Sequence, residues 1–196
     1  MKFLFDLGGV FFDWDPNHFF RDIFDKAEER EYFLTEVCND EWNIQQDAGR
    51  TIKEAEAELI PKFPQYEKQI KMYYQNHRKM IRGTFNSSIK ALDKLKKKNY
   101  ECYVLSNWSA ETFVGMTDDY PFLQLFNGLL ISGEDKLMKP DAAIYELAIS
   151  RFNLIPQETV FIDDKLENIE AAKKLNLKTI HLVDPNIIEL EIDKFI

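Results

Sequence analysis

Short apolar runs that stop at small or acidic polar residues recur along this chain, and they constrain its fold more than any other feature. Lys2–Phe5 stops at Asp6-Leu7-Gly8-Gly9, Tyr100–Leu105 at Ser106-Asn107, Gly128–Ile131 at Ser132-Gly133 and Thr159–Ile162 at Asp163-Asp164, with a last run at Lys178–Val183. Runs of this length bounded by such residues read as buried strands. Between the later ones, Ser87–Lys98, Asp141–Arg151 and Leu166–Leu175 carry apolar side chains at helical intervals. Strands alternating with helices imply parallel pairing, right-handed crossovers and helices on both faces of the sheet. The predicted fold class is therefore α/β, a doubly wound parallel sheet. In such a sheet all strand ends share one edge, where ligands bind, so Asp6, Ser106 and the Asp163-Asp164 pair converge although they are far apart in sequence.

Between the turn at Asp15-Pro16 and about Phe85 the pattern changes. Apolar side chains recur at helical spacing (Phe19, Phe20, Ile23, Phe24, then Phe33, Leu34, Val37), and the habit continues over Thr51–Ile60 and Tyr66–Ile81, broken by Pro61 and Pro64. No strand is predicted there, so this is a helical insert. Its connections, Trp42-Asn43 and Asp47-Ala48-Gly49-Arg50, suit a loop facing a ligand and equally an ordinary helix connection. With 196 residues, 45% of them hydrophobic, the chain can bury one sizeable core and a small appended unit.

A balance of 34 acidic against 25 basic residues, net −9, argues against a nucleic-acid surface, which demands clustered Lys and Arg. The basic run Lys94–Lys98 lies at the polar end of a predicted helix and reads as a solvated face. Two distant cysteines, Cys38 and Cys102, make neither a disulfide framework nor a zinc site and fit a reducing cytoplasm. The opening apolar run is too short for a signal peptide and no stretch approaches a membrane span. A cytoplasmic protein without a membrane partner is expected.

Each polar cluster alone is an ordinary turn; together, and in this order, they form a pattern. A further cluster is Lys139-Pro140-Asp141, where Asp141 can cap the next helix and Lys139 stands just ahead of it. Phe5-Asp6-Leu7-Gly8-Gly9-Val10, Leu105-Ser106-Asn107, Lys139-Pro140-Asp141 through Tyr145, and Phe161-Ile162-Asp163-Asp164 through Asn168 resemble the four motifs of the haloacid dehalogenase superfamily of hydrolases. Within it, the chain resembles the branch with a helical cap inserted after the first motif. The resemblance spans almost the whole chain. It implies a Rossmann-like core over 1–14 and 86–196, with 15–85 as the cap.

It also implies roles. Asp6 would be the nucleophile, forming a phospho-aspartate that water hydrolyses. Ser106 and the amide of Asn107 would hydrogen-bond the phosphoryl oxygens, and Lys139 would offset their charge. Asp6, Asp163 and Asp164 bring three carboxylates together, and an all-oxygen site beside a phosphate suits Mg²⁺. The implied ligands are one Asp6 oxygen, the carbonyl of Gly8, and Asp164, with Asp163 direct or through water. Asn168 is expected to brace the last motif and Tyr145 to pack. Trp42, Asn43 and Arg50 are the expected substrate contacts from the cap, while Trp14 and Trp108 adjoin motifs and read as core residues.

One position departs from the family. Most of its phosphatases carry a second Asp two residues after the nucleophile, which protonates the leaving oxygen, and here that position is Gly8. Members resembling glucose-1-phosphate phosphatase also carry Gly there. The expected function is a Mg²⁺-dependent phosphatase for a small phosphate ester such as a sugar phosphate, favouring acidic leaving groups for want of that acid. Two alternatives stand beside it. A 2-haloacid dehalogenase, with Asp6 attacking carbon, needs neither metal nor leaving-group acid but has no use for two carboxylates at 163 and 164. A catalytically silent binding module would explain Gly8 but not the retention of Asp6, Ser106, Lys139 and Asp164.

Overall fold

In the computed structural model, which describes residues 1–196, the apolar runs pair into one parallel sheet. The strands in chain order are β1 (Lys2–Phe5), β2 (Phe12–Trp14), β3 (Ile81–Thr84), β4 (Glu101–Ser106), β5 (Gly128–Ile131), β6 (Thr159–Asp163) and β7 (Lys178–His181). The sheet order is β5-β4-β1-β6-β7 with every pairing parallel. β1 is thus the middle strand, flanked on one side by β4 and β5 and on the other by β6 and β7. A reversal of strand order of this kind opens a crevice at the carboxyl edge. The register decides what reaches it. Phe5 pairs with Val104 on one side and Ile162 on the other, so Asp6, Ser106 and Asp163 all emerge one or two residues beyond the same level.

Both faces of the sheet are covered, which is why its strands read as continuous apolar runs. Phe3, Phe5, Val104 and Ile162 face one layer, packed with Leu92 and Leu95 of helix Asn86–Lys97 and with Ile188 and Ile192 of helix Ile188–Asp193. The intervening Leu4, Tyr103, Leu105 and Phe161 face the other layer, with Ile144 and Tyr145 of helix Ala142–Arg151 and Ile169 of helix Leu166–Lys174. Three of these helices stop in the same way. Asn99, Asn153 and Asn176 follow them with φ of 62°, 50° and 63°. A left-handed residue closes the last helical turn and sends the chain back toward the sheet, and Asn tolerates it better than other residues with a side chain.

The chain between β2 and β3 is helical, chiefly Ala27–Tyr32, Asp40–Asp47, Ile52–Leu59 and Glu67–Gln75, and it has its own buried cluster around Phe20, Phe33, Trp42, Ile70 and Tyr73. The sequence predicts no strand in this region, whereas β3 pairs antiparallel with β2 where the chain leaves and re-enters the core. Each strand is too short to show a period, and its partner lies at the far end of the insert, so no local turn marks the pair. The helix predicted to run to Ile81 stops at Gln75 and gives way to a 3-10 turn, His77–Met80. Ile188–Asp193, with 6 residues, is too short for its helical period to be read from the sequence. No helix is long and apolar enough to cross a membrane.

The left-handed positions make a direct test. Asn176→Val is expected to cost about 1–2 kcal/mol in urea unfolding, the price of a side chain branched at Cβ in that conformation, while Asn176→Gly is neutral or stabilising.

Candidate active site

Asp6 leaves the sheet while still bound to it: its N–H donates to the carbonyl of Ile162 at 2.9 Å, which fixes the backbone at the end of β1. The residue is only 7% exposed. One oxygen, Oδ1, accepts from Ser106 Oγ at 2.8 Å and pairs with Lys139 Nζ at 2.9 Å. The same ammonium donates to Asp163 Oδ2 at 2.7 Å, so Lys139, itself buried, is wedged between the carboxylates of β1 and β6. Asn107 holds it there from the backbone: its amide donates to the Lys139 carbonyl and accepts from the Lys139 N–H, both at 2.9 Å. Asp141 stands at the N-cap position of the next helix, but its side chain makes no capping bond.

Asp163 is fully engaged. Oδ1 accepts from the Lys165 N–H at 2.8 Å and from Asn168 Nδ2 at 3.0 Å, and Oδ2 accepts from Asn168 at 3.0 Å as well as from Lys139. Tyr145, buried as expected, donates its hydroxyl to the Asn168 carbonyl at 3.0 Å and so ties the helix after Lys139 to this loop. Asp163 therefore reads as a brace for Lys139, with little capacity left for another partner.

One carboxylate oxygen from each of Asp6, Asp163 and Asp164 lies within 4.8 Å of the other two. Burial raises the Asp6 carboxyl to about 6; Lys139 pulls against that shift, while Asp163 and Asp164 add to it. Burial, followed by the charge of Asp163, also raises Asp164. Burial alone would depress Lys139, yet the charges of Asp163 and Asp6 hold it above its ordinary value. One ammonium thus faces three carboxylates, an all-oxygen donor set with an excess of negative charge that fits a hard divalent cation such as Mg²⁺. Asp6 and Asp164 have the oxygens free for it. Gly9, at φ 67°, lets Asp164 lie against the backbone: a Cβ there would sit 2.5 Å from Asp164 Oδ2.

These groups open into a cavity of about 410 Å³, lined from the sheet edge by Asp6, Gly8, Asn107 and Lys139 and from the insert by Asn43, Asp47, Tyr74 and His77. Asn43 is the one expected insert contact that reaches it, with its Oδ1 accepting from the Tyr74 hydroxyl at 3.1 Å. Trp42 and Arg50 do not. Trp42 is 5% exposed in the insert's own core, donating to the Ala55 carbonyl at 3.3 Å. Arg50 lies over its ring and donates to the Trp42 carbonyl at 2.7 Å, so both side chains hold the insert together. Trp108 is buried in the core and Trp14 packs against it, as read from the sequence; both also wall the cavity beside His77, at ring separations of 5.7 and 5.9 Å. Burial, then the charge of Arg78, lowers His77 to about 4, so it is neutral. The sequence does not single out Asp47, His77 or Lys165; Asp47 alone carried a signal, from its polar connection.

A family model described as haloacid dehalogenase-like hydrolase matches residues 3–182. A sesquiterpene phosphatase of Aspergillus oryzae is 25% identical over 181 residues, 92% of this chain and 89% of that protein. A phosphorylated carbohydrates phosphatase of Thermotoga maritima is 21% identical over 200 residues, 91% of this chain and 82% of that protein. Among solved structures, a HAD family enzyme of Bacteroides thetaiotaomicron, in complex with magnesium and inorganic phosphate, has a TM-score of 0.69 at 25% identity, over 91% of this chain and 92% of that one.

Removing the shared ammonium leaves two buried carboxylates without their counter-charge. Lys139→Met is expected to lose about 3–5 kcal/mol of stability in chelator at pH 7. In that variant Asp6 is raised further above its unfolded value, so the native state takes up protons as pH falls. Unfolding curves should show the deficit narrowing from pH 7 to pH 5; a deficit that widens would contradict the arrangement.

Proposed function

The chain belongs to the haloacid dehalogenase-like hydrolases, and we propose that within this family it is a Mg²⁺-dependent phosphatase acting on a small phosphorylated metabolite. The observation that carries this reading is the buried Asp6 carboxylate at the switch point of the sheet, held by Ser106 and Lys139 with Asp164 alongside. Similarity to two phosphatases and to an enzyme that binds magnesium and phosphate supports it.

In this reading Asp6 attacks phosphorus in line with the departing oxygen and becomes a phospho-aspartate, which water then hydrolyses. Ser106 and the Asn107 backbone N–H donate to the phosphoryl oxygens, and Lys139 neutralises their charge. One Asp6 oxygen, Asp164 and the Gly8 carbonyl would hold Mg²⁺, with Asp163 bracing Lys139 or reaching the ion through water. When bound, the ion supplies charge neutralisation for the transferred group. Residues 15–85 act as a cap over a core of 1–14 and 86–196, and the wall of Trp14, His77 and Trp108 receives the leaving group, a sugar being well suited to aromatic faces. Dehalogenation is disfavoured because Asp164, with Gly9 shaped to receive it, has no part in metal-free attack on carbon.

Hydrolysis of 4-nitrophenyl phosphate should require Mg²⁺ and fall by at least about 10³-fold in Asp6→Asn, which has no nucleophilic oxygen of comparable strength. Full turnover in excess chelator, or in that variant, would end the phosphatase reading. Gly9→Ala, by displacing Asp164, should raise the Mg²⁺ concentration for half-maximal activity by about tenfold or more while leaving kcat at saturating Mg²⁺ less affected; an unchanged Mg²⁺ dependence would remove Asp164 from the ligand set.

A further inference from the structure

Gly8 leaves the reaction without the family's usual acid, and it also leaves a gap: a Cβ at Gly8 would meet nothing within 4 Å. In-line attack by Asp6 drives the leaving oxygen away from β1, toward the insert. The carboxyl groups lining the cavity outside the Asp6 cluster are Asp13, Asp40, Asp47 and Glu167. Asp13 is paired with His18 at 3.1 Å and with Arg82 at 2.5 Å. Asp40 and Glu167 are exposed to solvent, and His77 is neutral and holds no proton to spare. Asp47 differs from all of these. It ends helix Asp40–Asp47, is half-buried, forms no ion pair, and shares the cavity with Asp6, Ser109, Lys139 and Lys165.

Its position is built. Gln46, beside it, is 1% exposed. Two residues on, Gly49 lies at φ 93° so close to the turn after β5 that a Cβ would stand 2.6 Å from Lys136 Cγ and 3.3 Å from the Gly133 carbonyl. The end of the helix is thus pressed onto the core, with Asp47 lining the cavity that holds Asp6.

From this placement we infer that Asp47 is the proton donor and acceptor of the reaction, standing in from the insert for the carboxyl that Gly8 lacks; the inference rests on the phosphatase reading above. As Asp6 forms its bond to phosphorus, the bond to the leaving oxygen breaks, and that oxygen keeps the electron pair and takes the proton of Asp47. In the second step the Asp47 carboxylate takes a proton from water as the water oxygen bonds to phosphorus and the electron pair of the broken bond returns to Asp6. The sum is ester plus water giving alcohol and phosphate. Burial raises Asp47 to about 7, with Lys165 and Lys139 drawing it down and Asp6 pushing it up, so it can hold and release a proton near neutral pH. The selectivity for acidic leaving groups expected from Gly8 then becomes a property of the enzyme without Asp47.

The test is kcat/KM for a series of aryl and alkyl phosphates of differing leaving-group pKa, with wild type, Asp47→Asn, and Asp47→Asn combined with Gly8→Asp. The wild type should show a shallow dependence. Asp47→Asn should lose about 10²-fold or more on alkyl esters but under about tenfold on 4-nitrophenyl phosphate, and the added Asp at 8 should recover much of the alkyl loss. An acid must be protonated to act, so wild-type kcat/KM on alkyl esters should fall as pH rises through about 7, and that limb should vanish in Asp47→Asn. Mg²⁺ affinity by calorimetry should be unchanged. Equal slopes in wild type and Asp47→Asn, or a uniform loss across all leaving groups, would overturn the inference while leaving the phosphatase standing. A wild type that hydrolyses none of the esters would overturn both.

Discussion

A single buried ammonium holds this site in shape. Lys139 Nζ lies 2.9 Å from Asp6 and 2.7 Å from Asp163, and joins the ends of two neighbouring strands that would otherwise repel each other through their carboxylates. Buried charges persist only where partners and hydrogen bonds compensate their desolvation. Here the compensation extends outward, through Asn107 on the Lys139 backbone, Asn168 and the Lys165 N–H on Asp163, and Tyr145 on Asn168. The network sets one ammonium against three carboxylates, a donor set with an excess of negative charge that suits a cation.

The sheet makes that network possible. With β1 in the centre and both neighbours parallel to it, three polar strand ends are delivered to one edge at nearly the same level. The packing that enforces the register is apolar and lies on both faces, away from the chemistry. Function and stability are thereby separated: the strands bury their Phe and Leu side chains, and only the residues just past them carry charge.

Much of this was legible in the sequence because it is local. Apolar runs ended by Asp6, Ser106 and Asp163 mark strands and site together, and the alternation with helices implies the parallel sheet that unites them. What could not be read depends on contacts between distant segments. The β2–β3 ribbon joins the two ends of the insert. Trp42 and Arg50 sit in a polar stretch that looks like a ligand loop, yet fold back onto the insert's own core, whereas Asp47, a few residues away, is turned to the cavity. Composition cannot distinguish these neighbours, because which face of a short helix meets the core is decided by packing. Gly8 shows the same limit from the other side: the sequence records a missing acid, and only the assembled cavity brings another carboxyl, Asp47, into the space that Gly8 lines.

In the proposed reaction a carboxylate oxygen of Asp6 receives the phosphoryl group. The most direct test of this is to quench the enzyme in acid during turnover of a phosphate ester with Mg²⁺, digest it, and locate covalent phosphate by mass spectrometry. One added phosphoryl group is expected on the N-terminal peptide, at Asp6, and none when Mg²⁺ is withheld. Phosphate on another residue, or turnover with no phosphorylated peptide even in Asp47→Asn, which lacks the base proposed for the second step, would contradict this assignment.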